Sequence, residues 1–297
     1  VESWRGYGVN HTDYNNCHTI DTSYYHDMQV DKKIMFTMHI AALFKGQNKR
    51  YYHATLQDFY KIKQLLLGNW PMPLPTWHNR PPAIWPSYAA FDTEYNPVEN
   101  ILHRWSLCDT DNNLYCVEAE DTSDTRIPIT AGSTVLIQNA LADIGYLNLI
   151  TDFTKVHIED MMLAHSVLWT GEPHSLNYIA SKYGAFNRYK HLSGHSPQLY
   201  SALDAYEPMH MWKSHFMPEF RKDQQSWDVY KRYRLPLIKI IYKAQSTGVR
   251  VDTARLLDVQ HILQDKLYSL QQQARDITGD SEFNLGGRKD MMEQIYE

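Results

Sequence analysis

Apolar and polar positions change rhythm along the chain, and the clearest rhythm lies in its middle. Tyr88 to Tyr95 and Ile101 to Cys108 read as strands, and Asn113 to Ala119 returns across an Asp-Thr-Asp-Asn-Asn turn as a hairpin partner. Thr134 to Gln138 has the continuous apolar character of a buried strand. It runs directly into ALADIGYLNLI, where Leu141, Ile144 and Leu147 fall on one helical face. A short strand over Lys155 to Ile158 follows, then helices over Met161 to Trp169, His174 to Tyr183 and Ser196 to Phe216, with Pro208 as the expected kink. This order predicts an α/β class, a hairpin-led mixed sheet with helices at its back.

The flanks differ from this centre. GNWPMPLPTWHNRPPAIWPS, residues 68–87, crowds prolines with three tryptophans and predicts a stiff connector lying over a surface. The residues before it, 1–67, hold an apolar segment, KIMFTMHIAALF, and a helix-like tail, TLQDFYKIKQLLL, too little for a confident free-standing core. From Trp227 onward the chain turns helical and polar. Asp228 to Ser246 stops before Gly248, and Thr253 to Thr278 forms one long Gln-rich helix ending at Gly279, the pattern of an arm packed on one face. The expected domains are therefore 1–67, the connector 68–87, a central domain over 88–218, and a helical segment over 219–297.

Composition narrows the function classes. The 297 residues carry 29 Lys+Arg against 34 Asp+Glu, a net charge of -5, with 43% apolar residues, which excludes a disordered chain. No apolar run is long enough to span a bilayer, so no membrane partner is expected. A mildly acidic chain cannot neutralise a long track of phosphates, and any nucleic-acid contact should be local. Cys17, Cys108 and Cys116 form no CxxC pair, which points away from a disulfide framework and toward a reducing, cytoplasmic compartment. His191 and His195 have ligand-like spacing, but the Ser-Gly between them marks a loop without further ligands.

The candidate chemistry lies in three acidic elements. In YAAFDTEY, Asp92 and Glu94 stand two apart on a strand, so they project from one face roughly 6.6 to 6.8 Å apart. Two such acids can share a divalent cation. Equally, Glu118 and Glu120 have the same spacing and are most simply a solvated face. In QNALAD, Asn139 and Asp143 are one helical turn apart where a buried strand becomes a helix, the place where α/β sheets put ligands; a surface Asp favoured by the helix dipole is the plain alternative. In YSALDAY, Tyr200 and Asp204 share a helix face, where a phenol beside a carboxylate can orient a water or can simply be a core aromatic with a satisfied hydroxyl.

Taken together, FDTE, QNALAD and YSALDAY resemble, in order and spacing, the three motifs of the 3′-5′ exonuclease domain of family A DNA polymerases, the DEDDy branch of the RNase H-like nucleases. The resemblance runs from about Tyr88 to Phe216 and includes IEDMMLAH and HSLNYIASKYG. It implies an RNase H-like sheet and two divalent ions, Mg²⁺ or Mn²⁺, with Asp92, Glu94 and Asp204 on one, Asp92 and Asp143 on the other, and Tyr200 orienting the attacking water. Asn139 and Thr93 would lie beside the 3′ end of single-stranded DNA. Phosphodiester cleavage at neutral pH needs a hydroxide and a clamp on the leaving oxygen, which two ions about 3.5 to 4 Å apart supply. Four acids this close repel one another, so without cations the acid positions should be disordered or water-filled, or one of them should have a raised pKa.

Further resemblances flank this region. RLPLIKIIYKAQSTGVRVD, the long helix, and FNLGGRKDMMEQIYE are similar to the start of a family A polymerase thumb, with Gly286-Gly287 where Ser-Pro is usual. The resemblance implies a longer chain whose palm and fingers are the partners of this one, in a monomer. Trp4-Arg5-Gly6, the segment around His39, and TLQDFYKI resemble the last third of family 4-like uracil-DNA glycosylases, with Ile40 in place of that motif's proline. A small cap on the nuclease is the other reading of this piece. Such a combination would suit a phage or plasmid replication protein acting in the cytoplasm.

Overall fold

Strand β1, Tyr88–Asn96, opens with three fully covered residues, Ala89, Ala90 and Phe91, because elements pack against both of its faces. It pairs antiparallel with β2, Ile101–Asp109, which in turn pairs antiparallel with β3, Leu114–Glu118. On its other side β1 pairs parallel with β4, Thr134–Ile137, and β4 pairs parallel with β5, His157–Asp160. The sheet order is β3-β2-β1-β4-β5. This mixed five-stranded sheet flanked by helices is the RNase H-like arrangement expected from the sequence. The protein is described by a computed structural model that covers residues 52–69, 72–122, 126–186, 189 and 192–287, together with four two-residue strands in the first 35 residues. Arg5, Gly6, His39, His191 and the last ten residues of the thumb-like segment lie outside the described residues.

Two apolar layers sandwich the sheet. One contains Phe91, Trp105, Val135, Ile137, Ile144 and Leu147, and helix α2, Ala140–Ile150, supplies its outer wall. The other contains Leu114, Leu136, Met161, Ile179, Leu203 and Phe216, beneath α3 (Met161–Leu168), α4 (Leu176–Tyr183) and α5 (Pro197–Met211). Burying each large side chain contributes about 1.5–3 kcal/mol, so these layers fix where the helices sit. Strand β5 begins two residues later than its pattern suggested. Asp152 accepts a hydrogen bond from the Thr154 amide and closes Phe153–Lys155 into a 3-10 turn first. The helical run of α5 does not stop at Pro208 but continues through a π-helical turn, Trp212–Phe216, into the same core.

The connector behaves as a covering strap. His78 exchanges backbone bonds with Leu114 and Cys116 of β3, and Trp85 is buried against Phe91. Ahead of it, helix α1, Tyr52–Leu66, is tied to α4 by an ion pair between Asp58 and Lys182 at 3.1 Å, both side chains buried. Beyond residue 218, Phe220, Tyr230 and Ile238 are buried in the same two layers. The chain divides into compact units at Lys243/Ala244. In the second unit, α7, Thr253–Thr278, starts at an Asp252 cap and ends at Gly279 with φ 70°. Preceding it, α6 spans Leu235–Thr247. After α7 the chain folds back, with Phe283 buried and the Leu285 amide bonded to Gln271.

Candidate metal centre

Parallel pairing of β1 with β4 ends at Phe91 opposite Ile137, so Asp92 is the first residue of β1 beyond it. The carboxyl end of this parallel pair leaves a crevice, because β1 continues there into its hairpin while β4 turns into the helix α2. Across the antiparallel side, Asp92 stands opposite Ser106 and Glu94 opposite Arg104, before the register shifts at Tyr95. Arg104 is engaged elsewhere. It pairs with Glu118 of β3 at 3.3 Å, which accounts for Glu118 as a structural acid.

Helix α5 covers the face to which Asp92 and Glu94 point. The Ser201 hydroxyl lies 2.7 Å from that of Ser106, and this buried contact sets the helix against the sheet. Tyr200 and Asp204 are thereby brought over β1. Carboxylate oxygens of Asp92, Glu94 and Asp204 lie within 4.8 Å of one another. Three hard oxygen donors at this spacing repel unless a cation joins them, and they suit Mg²⁺ or Mn²⁺ rather than a soft metal. The Tyr200 phenol hydrogen-bonds to Asp204, and burial, then Asp204, Glu94 and Asp92, hold its pKa above the ordinary tyrosine value. It therefore stays a neutral donor.

Asp143 stands beside this trio rather than within it. Its carboxylate accepts the hydroxyl of Thr93, the residue expected beside the DNA. Burial raises the Asp143 pKa to about 7, helped by the charges of Glu94 and Asp160 and opposed by Thr93. A raised acid was expected, but burial outweighs like-charge repulsion as its cause. Asn139 occupies the left-handed region at φ 65° immediately before α2, a conformation that asparagine tolerates better than most residues. The turn is held by Asp160, whose two oxygens accept the Ala140 and Leu163 amides at 2.8 and 3.0 Å and so cap α2 and α3 together.

These elements enclose a cleft of about 430 Å³ lined by Asp92, Asn139, Ser175, Tyr189, Tyr200 and Asp204 among others. Tyr189, buried with its ring 6.0 Å from that of Tyr200, was not singled out by its sequence context; nor was Asp160. Asp160 did carry a signal, an acid at a strand-helix junction followed by an apolar helix. Tyr189 carried none, since a lone aromatic in a polar loop has no periodicity.

No protein-family model matches the chain, and no curated protein matches it. Among solved structures it is similar to Brucella melitensis NrnC with bound Mg²⁺, at 16% identity and a TM-score of 0.39, covering 56% of this chain and 90% of that one. Similarity extends to Escherichia coli RNase D, an exoribonuclease involved in structured RNA processing, at 16% identity and a TM-score of 0.39, over 53% of this chain and 45% of that one. The POL domain of Pol1 from M. smegmatis, in complex with DNA primer-template and dNTP, gives 15% identity and a TM-score of 0.44, over 70% of this chain and 36% of that one.

Proposed function

We propose that this chain is a divalent-metal-dependent 3′-5′ exonuclease that removes 5′-mononucleotides from the 3′ end of single-stranded or frayed DNA, proofreading for a family A polymerase. The observation that carries this reading is the convergence of Asp92, Glu94 and Asp204, from two elements far apart in sequence, in a cleft rimmed by a tyrosine bonded to one of them. A pair of Mg²⁺ or Mn²⁺ ions held by these acids, with Asp143 as a further ligand, would supply the Lewis acidity for phosphodiester hydrolysis. Water forms the new P–O bond, the P–O3′ bond breaks, and the released 3′-oxygen takes the proton. Tyr200 keeps its proton and orients the water, Asp204 receives the Tyr200 hydrogen bond, and Asn139 contacts the terminal nucleotide. A net charge of -5 leaves no long basic track for a duplex, so the reading is of a few unpaired nucleotides held locally. We further propose that the protein acts as a monomer in the cytoplasm; among the described residues no helix is long and apolar enough to cross a membrane.

A 5′-labelled oligonucleotide incubated with Mn²⁺ should shorten stepwise from its 3′ end and stop shortening with chelator. Asp92→Ala degrading it at the parental rate ends the proposal. Faster loss of an RNA strand of the same sequence would reassign the chain to the RNase D-like reading. Absence of both Mn²⁺ binding by calorimetry and degradation would make it a catalytically silent scaffold.

A further inference from the structure

Glu207 is an ionisable side chain with no exposure to solvent, one turn beyond Asp204 on α5. Burying an acid is costly unless its oxygens are bonded, so its partners indicate what it does. Both partners lie immediately after α4: one oxygen accepts the Ala185 amide at 2.9 Å and the other the Phe186 amide at 3.0 Å. The fit is close. A Cβ on Gly184 would stand 2.8 and 2.9 Å from the two Glu207 oxygens and 2.5 Å from the Ala180 carbonyl, so only glycine admits the carboxylate here.

The same helix end is held from its other side. Lys61 of α1 gives its ammonium to the Ala180 and Ser181 carbonyls at 3.2 and 2.7 Å, and its charge acts on Glu207 as well. The end of α4 is thus held by a cation at its carbonyls, the groups a helix C-terminus leaves free, and by an anion on the two amides that follow the helix. Helix α4 matters to the cleft because Ser175, Leu176 and Asn177, at its amino end, form one wall, while Tyr200 and Asp204 of α5 form the opposite one.

We infer that Glu207 is a positioning residue for the proposed exonuclease: its carboxylate bolts α4 to α5 and so sets the spacing of the two walls between which the terminal nucleotide is seated. Nothing reacts at Glu207, and it touches no substrate. Its loss lets the walls shift, which weakens seating of the nucleotide more than it alters the acids themselves.

The test uses the full chain, Mn²⁺ and a 5′-labelled oligothymidylate. Glu207→Gln keeps one acceptor but turns an amide N–H₂ against a backbone N–H. We expect KM to rise about 10-fold with kcat within about twofold of the parent, the pattern left when binding shared by ground state and transition state is lost. A merely structural role would reduce the folded fraction and therefore kcat, leaving KM in place. A cooperative melt with parental KM overturns the inference. If Glu207→Gln gives no cooperative melt, Glu207→Asp, which keeps the carboxylate but draws it back by one methylene from the Ala185 and Phe186 amides, carries the same expectation and the same reversal. The inference rests on the exonuclease reading, and the two failures look different: a parent chain without Mn²⁺-dependent degradation removes that reading, whereas an active parent with an unaltered KM in the variant removes only the bolt.

Discussion

The hydroxyl of Ser106 lies 2.7 Å from that of Ser201, in a contact with no solvent access. Ser106 is the β2 residue directly opposite Asp92, and Ser201 follows Tyr200. One small polar pair therefore sets the register of α5 on the sheet, and with it the approach of Asp204 to Asp92. Ser201→Ala should cost about 1–3 kcal/mol, because it strands a buried hydroxyl. The double variant with Ser106→Ala should recover most of that loss. Chemical denaturation of the two singles and the double measures the coupling, and additive effects would show that the pair does not hold the helix.

Removing one acid of the converging trio should separate folding from turnover. Asp204→Asn is expected to abolish Mn²⁺-dependent degradation while leaving the metal-free melting temperature equal or higher, since one of three mutually repelling charges is gone. In the parent, Mn²⁺ at 100 times its dissociation constant should add about 2.7 kcal/mol of stability. Scanning calorimetry with and without Mn²⁺ measures both effects, and the variant should lose most of the increment.

Tyr200 donates to Asp204 and stays protonated at any working pH. Tyr200→Phe keeps the ring and removes only the hydroxyl, so kcat should fall by about 10²-fold, the effect of misorienting a reacting group, with little change in KM or melting temperature. Single-turnover measurements at saturating Mn²⁺ isolate that step.

Glu207 gives stability a pH dependence whose sign is opposite to that of an exposed, paired acid. Burial raises its pKa to about 7 against the bonds from Ala185 and Phe186 and the charge of Lys61. Between the ordinary carboxylate value and about 7 the folded chain holds a proton that the unfolded chain has lost, so stability is highest at the acidic side and falls as pH rises through that window. Glu207→Gln should flatten the fall. Asp143, raised in the same direction, keeps part of the slope. Melting temperatures from pH 5 to about 8 without divalent ions test this; an unchanged slope in the variant would contradict it.

The buried pair Asp58–Lys182 ties α1 to α4. Asp58→Asn leaves an ammonium buried without its counter-charge and should cost about 3–5 kcal/mol, whereas replacing both residues by apolar ones of similar volume should be close to neutral. Urea denaturation distinguishes the two outcomes.

Much of this was legible in the residues alone. Strand and helix periods located the sheet and its helices because side-chain burial in each element repeats at a period the backbone dictates, and Asp92 with Glu94 share a face for the same reason. What lay beyond that reading were relations between elements: Thr93 bonding its hydroxyl to Asp143, Arg104 paired with Glu118, and Glu207 gripping the end of α4. Local sequence determined which groups each strand and helix presents and to which side. Only the packed tertiary structure decided which of those groups meet, since hydrogen bonds and charge contacts between different elements depend on how whole layers settle against one another, and no local period encodes that.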